Sequence, residues 1–258
     1  MNFFKKRVIV TGGAGQIGQW IAKAFAGKGA SLWLVDIRED ALERVVGDPA
    51  FSAAAEVRTT PMNLRDSEAI QAFAKEVEQA WGAPDILINN AGIYTSEMLI
   101  DMSTDSWNKV MGLNLTAPFE MTRELGKLMI EHSVQGSIIN IISKSSFVPR
   151  MGSGHYAVSK AGLHMLTRAY SLELAKYKIR VNSVSPGFTP GSEYNQMDEE
   201  YVQAMASTIP LGRFAESQDA AQAILFLCSE EASYITGAML TVDGGNSAGN
   251  YSLPVSAK

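Results

Sequence analysis

Short runs of β-branched and aliphatic residues alternate with longer segments of helical periodicity along almost the whole chain. This alternation is typical of successive βαβ units, which place parallel strands in one sheet and cover both of its faces with helices. The run over residues 137–142 is aliphatic apart from Ser137 and Asn140, as expected of a strand that is buried on both faces. The pattern predicts an α/β fold, a doubly wound parallel sheet in a three-layer αβα sandwich.

The predicted sheet has seven strands, over residues 7–11, 31–36, 56–61, 85–89, 137–142, 179–185 and 238–242. Helices are predicted over residues 16–28, 39–46, 67–81, 105–131, 154–177 and 217–229, with a polar, helix-like segment over 192–207. Ser103 or Thr104 can cap the long helix, and Asp105 favours its first turn. The chain shows no repeat and no linker. We therefore expect a single domain over residues 1–245 and a loose tail over 246–258.

Composition excludes several classes of protein. The 258 residues include 22 Lys plus Arg against 27 Asp plus Glu, a net charge of −5, which argues against a nucleic-acid partner. The single cysteine, Cys228, excludes a disulfide framework and a cysteine zinc cluster, and no His, Asp and Glu grouping has metal-ligand spacing. No apolar run approaches the roughly 20 residues of a membrane helix. We expect a cytoplasmic protein without a metal or a membrane partner.

A glycine-rich loop joins the first strand to the first helix, with the sequence Thr11-Gly12-Gly13-Ala14-Gly15-Gln16-Ile17-Gly18. Glycines at this junction let the backbone approach a pyrophosphate, and the helix N-terminus favours its negative charge. The pattern predicts dinucleotide contacts from Gly12, Gly15, Gln16, Ile17 and Gly18. An ordinary tight turn is the alternative interpretation, because a glycine-rich loop alone is a weak signal.

Asp36 ends the second strand at close to the spacing of about 20 residues at which an acid reaches the adenine ribose. Its carboxylate would accept hydrogen bonds from the ribose hydroxyls and repel a 2′-phosphate, which favours NAD over NADP. Arg38 is the counterargument, because it could pair with that phosphate. The alternative for Arg38 is a solvated residue at a helix start.

Tyr156 and Lys160 are four residues apart in a predicted helix and therefore share one face. A neighbouring ammonium favours the phenolate, so Lys160 is expected to lower the pKa of Tyr156. Ser143 ends the fifth strand, where its hydroxyl could bind a substrate oxygen. Together the three residues predict a proton-transfer site, although singly such residues are usually surface neighbours or turn formers.

Several motifs follow one another in the order found in one known family: residues 11–18, 89–92, Asn114, Ser143, 156–160, 186–187 and 242–245. Across nearly its whole length the chain resembles the short-chain dehydrogenase/reductase family. The resemblance implies a Rossmann fold with a catalytic triad of Ser143, Tyr156 and Lys160, and with Asn114 as a fourth member. Tyr156 would act as acid and base, Ser143 would polarise the carbonyl, and Asn114 would hold a water in the proton path.

The resemblance also implies the residues that hold the cofactor. Besides the glycine loop and Asp36, these are Asn63, Leu64, Asn90, Ala91, Gly92, Tyr156, Lys160, Pro186, Gly187 and Thr189. Gln16 departs from the family pattern, which has glycine there, and we expect weaker or altered contact with the cofactor. Asn63 replaces the usual Asp, and its amide oxygen can still pair with the adenine amino group.

A substrate lid is expected over about residues 188–213, and a plain surface helix is the alternative. Pocket candidates flank the reactive groups along the chain: Ser145, Phe147, Arg150, Met151, Phe188, Tyr194 and Met197. His155 adjoins Tyr156 but points about 100° around the helix from it, so we expect no catalytic role for it.

The expected function is NAD-dependent hydride transfer between nicotinamide and a secondary alcohol or ketone of polyol, sugar or hydroxyacyl type. The alternative is a dinucleotide-binding sensor without turnover, which only Gln16 supports. By resemblance the chain forms a homotetramer, or a homodimer, through the helices over 105–131 and 154–177 and the last strand.

Overall fold

The computed structural model describes residues 1–190 and 198–251. Within them, seven parallel strands form one sheet in the order β3-β2-β1-β4-β5-β6-β7, which confirms the predicted fold. The strands are β1 Arg7–Thr11, β2 Ser31–Asp36, β3 Glu56–Pro61, β4 Ile86–Asn89, β5 Ser137–Ile141, β6 Arg180–Pro186 and β7 Met239–Val242.

Eight helices connect or flank the described strands: α1 Gln16–Ala26, α2 Glu39–Val46, α3 Ser67–Trp81, α4 Thr104–Met111, α5 Ala117–Glu131, α6 Gly154–Leu174, α7 Glu199–Ala206 and α8 Ser217–Cys228. Capping residues explain several of these limits. Asp66 accepts hydrogen bonds from the first turn of α3, and Gly27 ends α1 two residues before the predicted limit. The predicted polar helix over 192–207 corresponds to α7 in its second half, while residues 191–197 lie outside the described part.

Alternating side chains of each central strand fill two cores, one on each face of the sheet. Val8 and Val10 of β1 pack with Phe25 of α1 on one face. Ile9 of the same strand packs with Trp33 and Phe73 on the other face. Burial on both faces explains why the central strands are almost continuously apolar.

The predicted helix over 105–131 is interrupted. Ser103 caps its start through a 3.0 Å bond from the Ser106 N–H, as expected, but a π-helical turn, Gly112–Thr116, separates α4 from α5. Such turns insert one extra residue into a helix and are frequent at functional sites. Here the turn contains Asn114, one of the predicted site residues.

The strand order reverses between β1 and β4, because β2 and β3 lie on one side of β1 and the later strands lie on the other. In open parallel sheets the crevice at the carboxyl ends of the strands beside this reversal is where ligands bind. The glycine loop follows β1 and Asn90 follows β4, so both stand at this crevice. None of the helices that the structure describes is long and apolar enough to cross a membrane.

Candidate active site

The glycine loop makes a close turn between β1 and α1. Gly12 has a φ of 64°, and a Cβ on it would lie 2.9 Å from Ala91 Cα. A Cβ at Gly18 would lie only 2.1 Å from the Gly12 carbonyl oxygen. The loop is also tied to β4, because the Asn90 amide donates to the Thr11 carbonyl at 2.9 Å. The backbone at the helix N-terminus is therefore fixed with no side chain of its own in the way, which suits a pyrophosphate.

Gln16 is the first residue of α1, and its φ lies outside the left-handed region. Its backbone is thus helical and imposes no strain where the family pattern has glycine. The side chain is half-buried beside the loop. Ile17 turns inward and packs on the apolar core beneath the loop.

Asp36 is buried at the end of β2, where its carboxylate accepts from the Ala14 N–H at 3.1 Å. Arg38 donates to the same carboxylate through Nε at 3.0 Å and through Nη2 at 3.3 Å. Acid and guanidinium therefore stand as a bidentate pair next to the glycine loop.

A small apolar void lies beside the carboxyl ends of β1 and β4. Its lining includes Thr11, Leu64, Ala91 and Leu113. Leu64 is buried, whereas Asn63 is exposed and its side-chain oxygen accepts from the Arg65 N–H at 3.1 Å. The structure thus brings Leu64 and Ala91 together and leaves Asn63 at the edge.

Tyr156 stands in the first turns of α6 and forms a hydrogen bond with Ser143, which follows β5. The edge of the Tyr94 ring packs against the Tyr156 ring, with centroids 5.1 Å apart and planes at 83°. Burial raises the pKa of Tyr156 above its ordinary value, the hydrogen bond with Ser143 lowers it, and Tyr94 raises it. Burial thus has the largest effect on this phenol.

Lys160 lies one turn further along α6 with only 4% of its surface exposed. Its Nζ donates to the Ile141 carbonyl at 2.8 Å and lies 5.9 Å from the centre of the Tyr156 ring. Burial lowers the pKa of Lys160 to about 8. The expected lowering of the Tyr156 pKa is not found in this structure, because burial has the larger effect and the ammonium is directed at a carbonyl.

Asn114 is fully buried in the π turn and pairs with the backbone of Ile93 at both ends of its amide. Its Oδ1 accepts from the Ile93 N–H at 2.9 Å, and its Nδ2 donates to the Ile93 carbonyl at 2.9 Å. A Cβ placed on Gly92 would lie 3.2 Å from Asn114 Oδ1 and 3.4 Å from Lys160 Nζ. The Asn114 amide and the Lys160 ammonium therefore both lie next to Gly92, on the side where a Cβ would project.

The sequence matches the family described as Enoyl-(Acyl carrier protein) reductase over residues 12–247. The chain is 36% identical to the 3-oxoacyl-[acyl-carrier-protein] reductase FabG of Thermotoga maritima, with 95% of this chain and 99% of the relative covered. It is 35% identical to a 3alpha-hydroxysteroid dehydrogenase of Mediterraneibacter gnavus, with 95% and 98% covered.

The structure is similar to that of a short chain dehydrogenase from Bacillus anthracis, with a TM-score of 0.87, 32% identity and coverage of 95% and 98% of the two chains. The chain belongs to the short-chain dehydrogenase/reductase family. It is an oxidoreductase of that family, whose members use a nicotinamide cofactor.

The carboxyl end of β6 carries Pro186, Gly187 and Thr189, which are expected to contact the cofactor of this short-chain dehydrogenase/reductase. The Gly187 N–H donates to the Val242 carbonyl at 2.7 Å, so the Pro186-Gly187 turn lies against the end of β7. Thr189 follows as a half-buried residue without regular secondary structure.

Sequence reasoning missed one connection behind the site. Lys144, directly after Ser143, donates to the Asn246 carbonyl at 2.7 Å, and the Asn246 amide donates to the Thr208 hydroxyl at 2.7 Å. Burial lowers the pKa of Lys144, Asp243 raises it and Arg150 lowers it. Asn246 opens the predicted loose tail, yet it is buried and bonded. Sequence patterns do not reveal this link, because Lys144 and Asn246 are about 100 residues apart along the chain.

Helix α7, which lies in the segment expected to form the lid, contacts the loop before α6. The Arg150 guanidinium donates to the Tyr201 hydroxyl and lies over the Tyr201 ring, 5.2 Å from its centre. Phe188 packs edge-on against the same ring, 6.1 Å away. Ser145, Phe147 and Met151 lie between β5 and α6, whereas Tyr194 and Met197 fall outside the described residues.

Proposed function

We propose that this chain transfers a hydride between NAD and a secondary alcohol or its ketone, with Tyr156 as the general acid and base. The observation that carries the proposal is the hydrogen-bonded Tyr156–Ser143 pair, with Lys160 one turn further along α6, at the end of the strand next to β4. Two relatives support the reaction class, because one is named a 3-oxoacyl reductase and the other a hydroxysteroid dehydrogenase. Each name describes an enzyme that acts on a ketone or on the corresponding alcohol.

The residues of this chain would supply the proton transfer and the orientation. In oxidation the Tyr156 phenolate accepts the proton of the substrate hydroxyl, and in reduction the phenol returns it to the carbonyl oxygen. Ser143 donates a hydrogen bond to that oxygen and holds the reacting carbon in place. Lys160 provides a positive charge near the phenolate that develops. When bound, the nicotinamide ring accepts the hydride in oxidation and donates it in reduction.

The described residues fit a dinucleotide. The close turn at Gly12 and Gly18 leaves the N-terminus of α1 open to a pyrophosphate, and Asp36 offers a buried carboxylate to a ribose diol. NAD is favoured over NADP because Arg38 is engaged by Asp36, so a 2′-phosphate would have to break that pair and sit beside a carboxylate.

The central test is Tyr156→Phe, which removes the proton-transferring oxygen and keeps the ring. We expect turnover to fall on the order of 10² to 10⁴-fold while NADH fluorescence titration shows nearly unchanged binding. Tyr177→Phe is the matched control on the turn after α6 and should leave turnover unchanged. Full activity of the Tyr156 variant would overturn the proposal, and tight NADH binding without turnover by the unaltered protein on a broad alcohol panel would favour the sensor.

Cofactor preference is tested at Asp36. The unaltered protein should have a higher kcat/KM with NAD than with NADP, and Asp36→Asn should reduce the ratio by about fivefold or more, because a charge near a phosphate is worth roughly 1 kcal/mol or more. Asp40→Asn, an exposed carboxylate on α2, is the control. A ratio that the Asp36 variant leaves unchanged would contradict the assignment.

We also propose that residues 1–245 act as one catalytic domain in which about residues 188–213 form the substrate lid. The contacts of Tyr201 with Arg150 and Phe188 support a lid that packs beside the reactive groups. Assembly as a homotetramer is part of the same proposal.

A further inference from the structure

Apolar side chains are exposed on two loops that border Tyr156 and Ser143. One loop joins β4 to α4, and the other joins β5 to α6. We call these side chains the apolar rim: Tyr94, Met98, Leu99, Ile100, Phe147 and Met151. Ile100 is 89% exposed and Met151 is 85% exposed. Clustered exposed apolar side chains in a folded domain usually mark a surface that binds another molecule.

The rim is joined to the reactive groups and the two loops are joined to each other. Tyr94 packs on the ring of Tyr156, and the Glu97 N–H donates to the Gly152 carbonyl at 2.8 Å. A Cβ on Gly154, the first residue of α6, would lie 2.5 Å from Leu99 Cδ1. The apolar surface is therefore continuous with the place where the substrate carbon would react.

Two of the charged side chains of these loops are already engaged, whereas Asp101 is exposed. Glu97 accepts from the Ser103 N–H at 3.3 Å, and Arg150 is held by Tyr201. A sugar or polyol needs several well-placed hydrogen-bonding groups, because each hydroxyl that leaves water unpaired weakens binding. The rim offers mainly hydrocarbon.

We infer that the substrate carries an apolar body, a hydrocarbon chain or ring, that lies across the rim while its alcohol or ketone meets Tyr156. The inference rests on the proposed function and narrows its substrate class. It favours acyl-like, aromatic or alicyclic compounds over polyols and sugars.

A homologous series of 2-alkanols with four to ten carbons tests this inference on the full chain with NAD. We expect kcat/KM to rise about threefold to fourfold per methylene group, as the transfer of hydrocarbon from water predicts, and to be low for polyols. Met151→Gln should flatten the series, whereas Tyr234→Gln, an exposed residue before β7, should not. A flat series, or faster turnover of polyols, would overturn the inference and leave the proposed function standing. No turnover in either series despite NADH binding would overturn both.

A second observation concerns His155, which is fully buried immediately before Tyr156. Its Nε2 shares a hydrogen bond of 2.6 Å with the hydroxyl of Thr95. Its Nδ1 is buried and makes no hydrogen bond to the described residues. The bond to Thr95 therefore connects a rigid helix start to an exposed loop.

That loop places Tyr94 between two anchors. Asn114 holds Ile93 on one side, and His155 holds Thr95 on the other. With both neighbours fixed, the Tyr94 ring is held against the Tyr156 ring.

We propose that His155 is a positioning residue, which acts through Thr95 to hold Tyr94 over the reactive phenol. The groups that face Tyr156 are Ser143, Tyr94 and Lys160. Of these, Tyr94 raises the Tyr156 pKa, as burial does. Release of Tyr94 should therefore lower that pKa.

Thr95→Val tests the proposal at an exposed position where folding is not at risk. The rise of kcat/KM for alcohol oxidation with pH should move to lower pH, because Tyr94 raises the pKa of Tyr156 and would no longer be held against its ring. Thr95→Ser, which keeps the hydroxyl, should retain the original profile. Tyr94→Ala should give the same displacement, and the double variant should show no further change. An unchanged profile in Thr95→Val, even with a lower melting temperature, would overturn the proposal.

Discussion

The side-chain amine of Lys160 is almost completely shielded from water. Its ordinary pKa of 10.5 falls to about 8, because burial disfavours the charged form. Between about pH 8 and 10.5, Lys160 is therefore protonated to a smaller extent in the folded chain than in the unfolded chain.

This difference predicts how stability depends on pH. Between about pH 8 and 10.5 the unfolded chain binds more protons at this residue, so the free energy of unfolding should rise with pH by on the order of 3 kcal/mol. Below pH 8 the residue adds no slope. Above pH 10 the raised pKa of Tyr156 acts in the opposite direction. Urea unfolding without cofactor should show that Lys160→Met lacks this slope; parallel curves for both proteins would refute the prediction.

Gln16 shows how a departure from a family pattern can be tolerated. Its backbone is helical, so only the side chain can affect a pyrophosphate. We expect Gln16→Gly to lower the dissociation constant of NADH by a few fold, since it removes a half-buried side chain at the helix N-terminus. NADH fluorescence titration measures this, with Gln71→Gly, an exposed glutamine on α3, as the control. Weaker binding by the Gln16 variant alone would mean that the amide helps to hold the phosphate.

Among the secondary-structure elements, the π turn has the clearest consequence. It directs Asn114 to both backbone groups of Ile93, so that one amide fixes the loop after β4. Asn114→Ala would leave a backbone donor and a backbone acceptor unpaired. We expect it to lower the free energy of unfolding by about 2 to 6 kcal/mol, on the basis of roughly 1 to 3 kcal/mol for each of the two unpaired groups. Urea unfolding tests this, with Asn108→Ala of α4 as the control; equal midpoints would contradict it.

Local signals in the sequence were sufficient for most elements. The limits of β1, β2 and α3 agree with the prediction, because glycines, caps and apolar runs mark them. The π turn escaped because the helical pattern continues through it. Pairs such as Tyr94 with Tyr156 and Lys144 with Asn246 were also out of reach, since only the packed chain brings such distant residues together. Burial, which determines the pKa of Tyr156, is a property of the same packing.

At the scale of the whole molecule, α6 presents an outward apolar stripe of Val158, Met165 and Leu172, spaced seven residues apart. Leu172 is 81% exposed. We expect this stripe to lie in the proposed tetramer interface. Leu172→Lys should therefore give smaller assemblies in light scattering, since a buried unpaired charge opposes association. Tyr234→Lys is the control, and an unchanged mass for Leu172→Lys would place the interface elsewhere.

The Asp36–Arg38 pair also bears on how enzymes of this kind diverge. A single nucleotide change turns an aspartate codon into an asparagine codon, and it would remove the negative charge that now engages the Arg38 guanidinium. An NAD-dependent, catabolic enzyme and an NADP-dependent, biosynthetic enzyme would then differ by a single mutation. Descendants of this chain could cross between them without rebuilding the fold.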